Sequence, residues 1–195
     1  EHMARPAEFD REEVLDRAMQ AFWDGGYCAT SMATLTETTD LKPGSLYAAF
    51  KSKEGLFLEA LDLYGQRSVG EIGRMLSSAD TPLEGIRAFF RQIAESAADA
   101  QTRHSCFLLN TMLEVARQNP KVRERARRHL DAVEALFRGA LEDARARGEL
   151  APEKDPRALA AFVMTSIWGL RILLAAGADR ARVRMVTDQV LELLG

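Results

Sequence analysis

Positive charge is scarce in this chain: 26 Lys and Arg stand against 29 Asp and Glu, a formal net charge of −3, with a pI of about 5.7. That excludes a protein that coats nucleic acid through an overall basic surface. Even the first sixty residues carry roughly twice as many acidic as basic side chains, so any grip on nucleic acid must come from a few placed groups. Cysteine is nearly absent. Cys28 and Cys106 provide neither a disulfide framework nor the CxxC spacing of zinc or redox sites. Histidine is confined to His2, His104 and His129, without His/Glu metal spacing, and no glycine-rich phosphate loop follows a strand. No catalytic residue, metal ligand or cofactor site is therefore assigned. No apolar run reaches the roughly 18 residues that span a bilayer, and no signal-like segment precedes the first amphipathic stretch. The expectation is a cytoplasmic protein with no membrane partner. Glu1-His2-Met3 reads as a vector remnant and is given no meaning.

Strand-like alternation is missing as well, and apolar residues recur at helical spacing almost throughout the 195 residues. The fold class is all-α, with about nine helices marked by their start and stop signals. Asp10 and Glu13 form a capping-box pair ahead of Val14, Leu15, Ala18, Met19 and Phe22, and Gly25-Gly26 ends that helix. Thr30 or Ser31 caps a short second helix carrying Met32 and Leu35. A break at Thr39-Asp40-Leu41-Lys42 then precedes Pro43, at the first position of a third helix that runs to about Phe50. Ser52 opens a long fourth helix, in which Gly65, Gly70 and Gly73 are expected to kink or loosen the chain. Thr81-Pro82-Leu83-Glu84, Asn119-Pro120 and Asp155-Pro156 repeat the cap-then-proline signal, and Gly148 with Pro152 closes the helix opened at Asn119. Further starts fall near Ser105 and, after Gly177, near Asp179. There is no internal repeat.

Two short helices across a tight four-residue break, held between longer ones, make a helix-turn-helix pattern. Asp40 tolerates a left-handed backbone at the turn, and Leu41 is placed to bury between the two helices with Leu35 and Leu46. On the third helix Leu46 and Phe50 share a core-facing side. The other side carries Lys42, Gly44, Ser45 and Ala48, small enough to enter a major groove closely, with helix-start amides that suit phosphate oxygens. Tyr47 offers a hydroxyl, and Lys51 and Lys53 offer flanking cations. The predicted contacts are Thr30, Ser31, Lys42, Pro43, Gly44, Ser45, Tyr47, Lys51 and Lys53.

The runs Leu41-Lys42-Pro43-Gly44-Ser45-Leu46-Tyr47 and Phe50-Lys51-Ser52-Lys53-Glu54-Gly55-Leu56, with Gly26-Tyr27 before the cap, resemble the signature of the TetR/AcrR (tetracycline-repressor type) regulators. The resemblance spans roughly residues 14 to 61. Asp40 stands where that family usually has glycine, Thr39 where alanine is frequent, and Ala48-Ala49 where bulky polar residues often touch DNA. The resemblance implies a homeodomain-like three-helix DNA-binding domain over residues 4–55 and a ligand-binding and dimerisation bundle over 56–195. It also implies a regulator, most often a repressor, that leaves double-stranded operator DNA when a small hydrophobic or electrophilic effector binds. Repressor and activator are not separated by sequence.

In the second domain, the helix carrying Leu159, Phe162, Val163, Met164, Ile167, Trp168, Leu170 and Leu174 has a wider apolar face than one core contact requires. A homodimer through the helices Leu159–Ala176 and Asp179–Leu194 accounts for it, and would space two reading helices for successive major grooves. Effector-contact candidates are Phe89, Phe90, Ile93, Cys106, Phe107, Asn110, Thr111, Met164 and Trp168. Cys106, with Arg103 and His104 beside it, is either a reactive thiol or a small packed one. Its run Cys106-Phe107-Leu108-Leu109-Asn110, followed by Glu114-Val115-Ala116, resembles a TetR subgroup that includes regulators of electrophile- and quinone-detoxifying reductases. A helical enzyme lacks its parts here. A helical protein-binding adaptor without DNA-binding activity keeps the apolar faces but has no need of the 41–56 signature.

Overall fold

The computed structural model describes residues 9–96 and 106–194. Among these, nine helices and no strand occur: α1 (Arg11–Gly25), α2 (Met32–Thr39), α3 (Pro43–Phe50), α4 (Lys53–Ser78), α5 (Pro82–Ser96), α6 (Phe107–Glu114), α7 (Pro120–Ala146), α8 (Pro156–Ala175) and α9 (Arg180–Leu194). The boundaries follow local chemistry. The Asp10 carboxylate accepts the Glu12 and Glu13 amides, Ser52 the Gly55 amide, Asn119 the Lys121 and Val122 amides, and Asp155 the Arg157 amide. Each such cap contributes about 1 kcal/mol. The reciprocal half of two capping boxes does not form, because Glu13 and Glu84 pair with Arg17 and Arg91 instead of reaching back. Gly26, Gly148 and Gly177 take positive φ at or just beyond helix ends, as the stop signals predict.

Two apolar clusters form the interior. One joins α4, α5, α7, α8 and α9 around Ile86, Phe90, Phe137, Leu141 and Val163. The other surrounds the N-terminal helices with Phe22, Leu35, Leu46, Phe57 and Leu61, and includes Phe107 and Leu108 of α6 and Val122, Ala126 and Leu130 of α7. The second cluster thus crosses the sequence-based division at residue 56. Burying each of these large side chains contributes roughly 1.5–3 kcal/mol, so α6 and α7 help to stabilise the N-terminal helices directly. Met19, expected on the core face of α1, packs at the rim as a partly buried residue.

α4 is the shared strut, packed along α1, α5 and α7. It runs unbroken from Lys53 to Ser78, through Gly65, Gly70 and Gly73. Gly65 is a contact residue: a Cβ there would lie 2.2 Å from Cγ of His129 on α7. Arg125 and His129 both face Asp62, the imidazole Nε2 at 2.8 Å from its Oδ1, while Arg67 joins α4 to Asp16 and Glu12 of α1.

α8 and α9 each bury one side and leave another uncovered. Val163, Met164, Ile167, Leu170 and Leu174 lie inward, while Ile172 of α8 and Met185, Val186 and Leu193 of α9 are exposed. α8 is also long and apolar enough to cross a membrane by length and composition, contrary to the sequence-based reading. Its inward side is nevertheless packed in the protein core.

Candidate nucleic-acid interface and effector cleft

The reading head is built around a left-handed turn. Asp40 takes φ 56° and ψ 29° at the end of α2, the conformation that short polar side chains tolerate better than bulky ones. Thr39 is buried with its hydroxyl on the Leu35 carbonyl at 2.6 Å. Leu41 lies partly buried against the cluster that contains Leu35 and Leu46. Beyond the turn, α3 buries Leu46 and Phe50. Arg11 fixes the far end of α3, its guanidinium stacked 4.3 Å from the Phe50 ring centroid and donating to the Ala49 carbonyl.

This docking leaves the opposite side of α3 in solvent. Lys42, Pro43, Gly44 and Ala48 are exposed, and Tyr47 is 48% exposed. Ser45 is partly covered. Lys42 provides no side-chain cap for the first turn. A Cβ at Gly44 would meet nothing within 4 Å, so no packing inside the chain requires glycine there. Ser31, exposed, caps α2 through the Thr34 amide at 3.0 Å.

Three predicted contacts have other engagements. Thr30 is 4% exposed, and its hydroxyl donates to the carbonyls of Gly26 at 2.6 Å and Ala21 at 3.2 Å. It is a structural pin inside the head, which corrects its assignment as a DNA contact; the cap falls to Ser31. Lys51 takes φ 69°, and its ammonium donates to the Ala48 carbonyl at 2.9 Å, closing the C-terminal end of α3. Lys53 holds its ammonium 4.5 Å from the centre of the Tyr27 ring.

The effector candidates separate into groups. Phe89, Phe90, Ile93 and Met164 lie in the bundle core. Trp168 is partly buried and touches both clusters. Phe107, Asn110 and Thr111 line a cleft of about 240 Å³ between α6 and the reading head, with Phe22, Trp23, Tyr27, Phe57 and Glu114. The Thr111 hydroxyl is already on the Phe107 carbonyl at 2.8 Å, leaving Asn110 as the predicted polar handle still facing the cleft.

Cys106 precedes α6, partly buried, with its Sγ 3.6 Å from the Tyr64 hydroxyl. Burial pushes the Tyr64 phenol well above its ordinary range, the neighbouring Cys106 pushes it further, and Arg171 opposes the shift. Tyr64 therefore stays a neutral donor toward the sulfur. Arg103 and His104, predicted to act on this thiol, lie outside the described residues.

Sequence reasoning missed the joints between sensor and head. Glu114, at the end of α6, accepts the backbone amides of Tyr27 at 3.2 Å and Cys28 at 3.0 Å. Glu54, in the first turn of α4, accepts from the Asn119 side chain at 2.6 Å and from Lys121 at 3.4 Å. The Asn119 hydrogen bond, ahead of Lys121, holds the Glu54 carboxyl below its ordinary range despite some burial. Glu114 stood within a recognised run, yet nothing local in sequence ties it to a turn 86 residues away.

Residues 14–60 match the family model described as bacterial regulatory proteins of the tetR family, and residues 82–190 match the tetracyclin repressor-like C-terminal domain. The chain belongs to the TetR family of bacterial transcriptional regulators. It is a DNA-binding regulator, and in this family the C-terminal domain serves effector binding and dimerisation. The HTH-type transcriptional repressor ComR of Escherichia coli strain K12 is 33% identical over 97% of this chain and 90% of its own length. A Bacillus subtilis strain 168 regulator, YezE, is 28% identical over 98% of this chain and all of its own. Among solved structures, a cysteine-substituted form of the TetR family regulator CifR, complexed with a 26 bp double-strand operator, superposes with a TM-score of 0.85. It is 32% identical, covering 98% of this chain and 100% of that one.

Proposed function

We propose that this chain is a cytoplasmic repressor that acts by binding and not by catalysis, holding its operator as a homodimer and leaving it when a small hydrophobic or electrophilic effector binds. The observation that carries the reading is the solvent side of α3, where exposed Tyr47 and the open space around Gly44 sit opposite buried Leu46 and Phe50. A helix so mounted can approach a major groove closely, with Ser31, Lys42, Pro43, Gly44, Ser45, Tyr47 and Lys53 meeting backbone and base edges. The repressor sign is supported by the name of the Escherichia coli relative, and the operator by the CifR complex.

The proposed division places the DNA-binding domain at residues 4–55 and the sensing and dimerising domain at 56–195. The uncovered side of α8 and α9, with Ile172, Met185, Val186 and Leu193, suits an isologous contact with a second copy. For the effector, Cys106 beside the Tyr64 hydroxyl favours an electrophile that alkylates the thiol. A carbon group bonded to the Cys106 sulfur in place of its proton would crowd Tyr64 and move the start of α6, and with it the Glu114 hold on the α1–α2 turn.

Fluorescence anisotropy on DNA upstream of the chain's own gene, against a random duplex at moderate salt, tests the core reading. Tighter binding to the upstream DNA by at least about a thousandfold is expected, and equal affinity defeats it. Mass mapping after treatment with a small electrophile tests Cys106. Absence of preferential labelling there, or labelled protein that still holds its operator, defeats the thiol route.

A further inference from the structure

We propose that the cleft between α6 and the reading head binds a small organic cation, a single-ring or short aliphatic amine of about ten non-hydrogen atoms. The cleft of about 240 Å³ is walled by the rings of Phe22, Trp23, Tyr27, Phe57 and Phe107. These rings already pack on one another, with centroids 4.9 Å apart for Phe22 and Phe57, 4.7 Å for Tyr27 and Phe57, and 5.6 Å for Phe57 and Phe107. An aromatic wall attracts cations through its negative faces, more strongly where water is excluded. One of these rings is seen doing so, since Tyr27 carries the Lys53 ammonium at 4.5 Å.

Among the described residues that line the cleft, Glu114 alone is ionisable in the carboxylate range and none is a lysine, arginine or histidine; the Lys53 ammonium reaches one of the lining rings, Tyr27. An anion would therefore meet aromatic faces and a carboxylate, an unfavourable pair, whereas a cation meets attraction from both. Asn110 stands one helical turn before Glu114, on the same side of α6, and its amide has no hydrogen-bond partner among the described residues. It is free to meet a hydroxyl or second amine of the ligand. The volume lies just below the usual range for ligand pockets, which limits the occupant to one ring.

The position gives binding a consequence. Glu114 accepts the Tyr27 and Cys28 amides, and a ligand ammonium competes with neutral donors for the same oxygens through a stronger, charge-assisted bond. It also places a second cation next to the ring that Lys53 uses. Both effects loosen the α1–α2 turn, so the amine weakens operator binding, and operator DNA weakens amine binding by the same factor. This consequence rests on the repressor reading above; the site itself does not.

Isothermal titration of the full chain with phenethylamine and with its uncharged counterpart 2-phenylethanol tests the site without DNA. The amine is expected to bind saturably and about tenfold tighter than the alcohol. In Glu114→Gln, which keeps one carbonyl acceptor and sets its NH2 against the other amide, that preference disappears, and the melting temperature falls by no more than the loss of one hydrogen bond. Equal binding of the two probes, no saturable binding of either below about 10 mM, or an unchanged preference in a folded Glu114→Gln protein overturns the proposal. The comparison on the parent chain decides the matter if the variant does not fold. Anisotropy on an operator duplex with and without phenethylamine then separates the two readings: a bound amine that leaves operator affinity unchanged defeats the release mechanism and leaves the site standing.

Discussion

The imidazole of His129 lies on the backbone of Gly65, so close that a Cβ at that position would stand 2.2 Å from Cγ and 2.4 Å from Nδ1. The ring is held there by Asp62, whose Oδ1 is 2.8 Å from its Nε2. Here α4, which carries the reading head at one end, is seated on α7 of the sensing bundle.

Gly65→Ala is therefore expected to destabilise the protein by about 1–3 kcal/mol through overpacking, although alanine is the better helix former by up to about 1 kcal/mol. Thermal denaturation measures it. The double variant with His129→Ala should be clearly less unstable than the sum of the two single changes; strict additivity would show that the ring is not what occupies the space.

Gly44→Ala separates fold from function. With nothing within 4 Å of the new methyl group, the melting temperature should hold or rise slightly, as helix propensity directs. Operator affinity should fall about tenfold, because in the proposed interface the methyl group stands where the duplex approaches. A variant that binds as well as the parent in anisotropy assays removes Gly44 from the interface.

Tyr47→Ala is expected to weaken operator binding by about tenfold with a melting temperature close to the parent's, since the ring is 48% exposed. Thr30→Val should do the reverse. It leaves the Gly26 carbonyl without its 2.6 Å partner and costs about 1–2 kcal/mol of stability, while at temperatures where the chain is folded the salt dependence of binding stays that of the parent. A change in that slope would return Thr30 to the list of contacts.

Which of these features sequence can reveal depends on their range. Helix starts were legible because a cap is a contact between neighbours: Asp10, Ser52, Asn119 and Asp155 all hold amides two or three residues ahead. Thr30 and Ser31 looked alike because each precedes α2, and only the fold shows that one hydroxyl turns inward to Gly26 and the other forward to Thr34. The contact made at Gly65 was hidden for the same reason, since it depends on a ring 64 positions further along the chain, at His129. The effector candidates were chosen as apolar residues at helical spacing, a rule that cannot distinguish core from cleft; it gathered Phe89 and Phe90 with Phe107 and Asn110, which lie in different places.

The Glu54 joint is pH-dependent in a direction that can be worked out. Its carboxyl is held below the ordinary glutamate range, chiefly by Asn119 and then by Lys121. The stabilisation is accordingly present above the ordinary range and is lost as pH falls through the lowered value. Melting temperatures of the parent and Glu54→Gln should differ at neutral pH and converge in acid. Curves that stay parallel down to the acid limit would show that the joint does not act through the charge of Glu54.

The cluster beneath the reading head draws Phe107, Leu108, Val122, Ala126 and Leu130 from beyond residue 60. A graft that moves only the first sixty residues onto a foreign sensor would leave Phe22 and Phe57 facing a neighbour shaped for someone else. Interchangeable parts in this protein end in the middle of a shared interior, so a working hybrid must carry α6 and the opening turns of α7 along with the head it is meant to transplant.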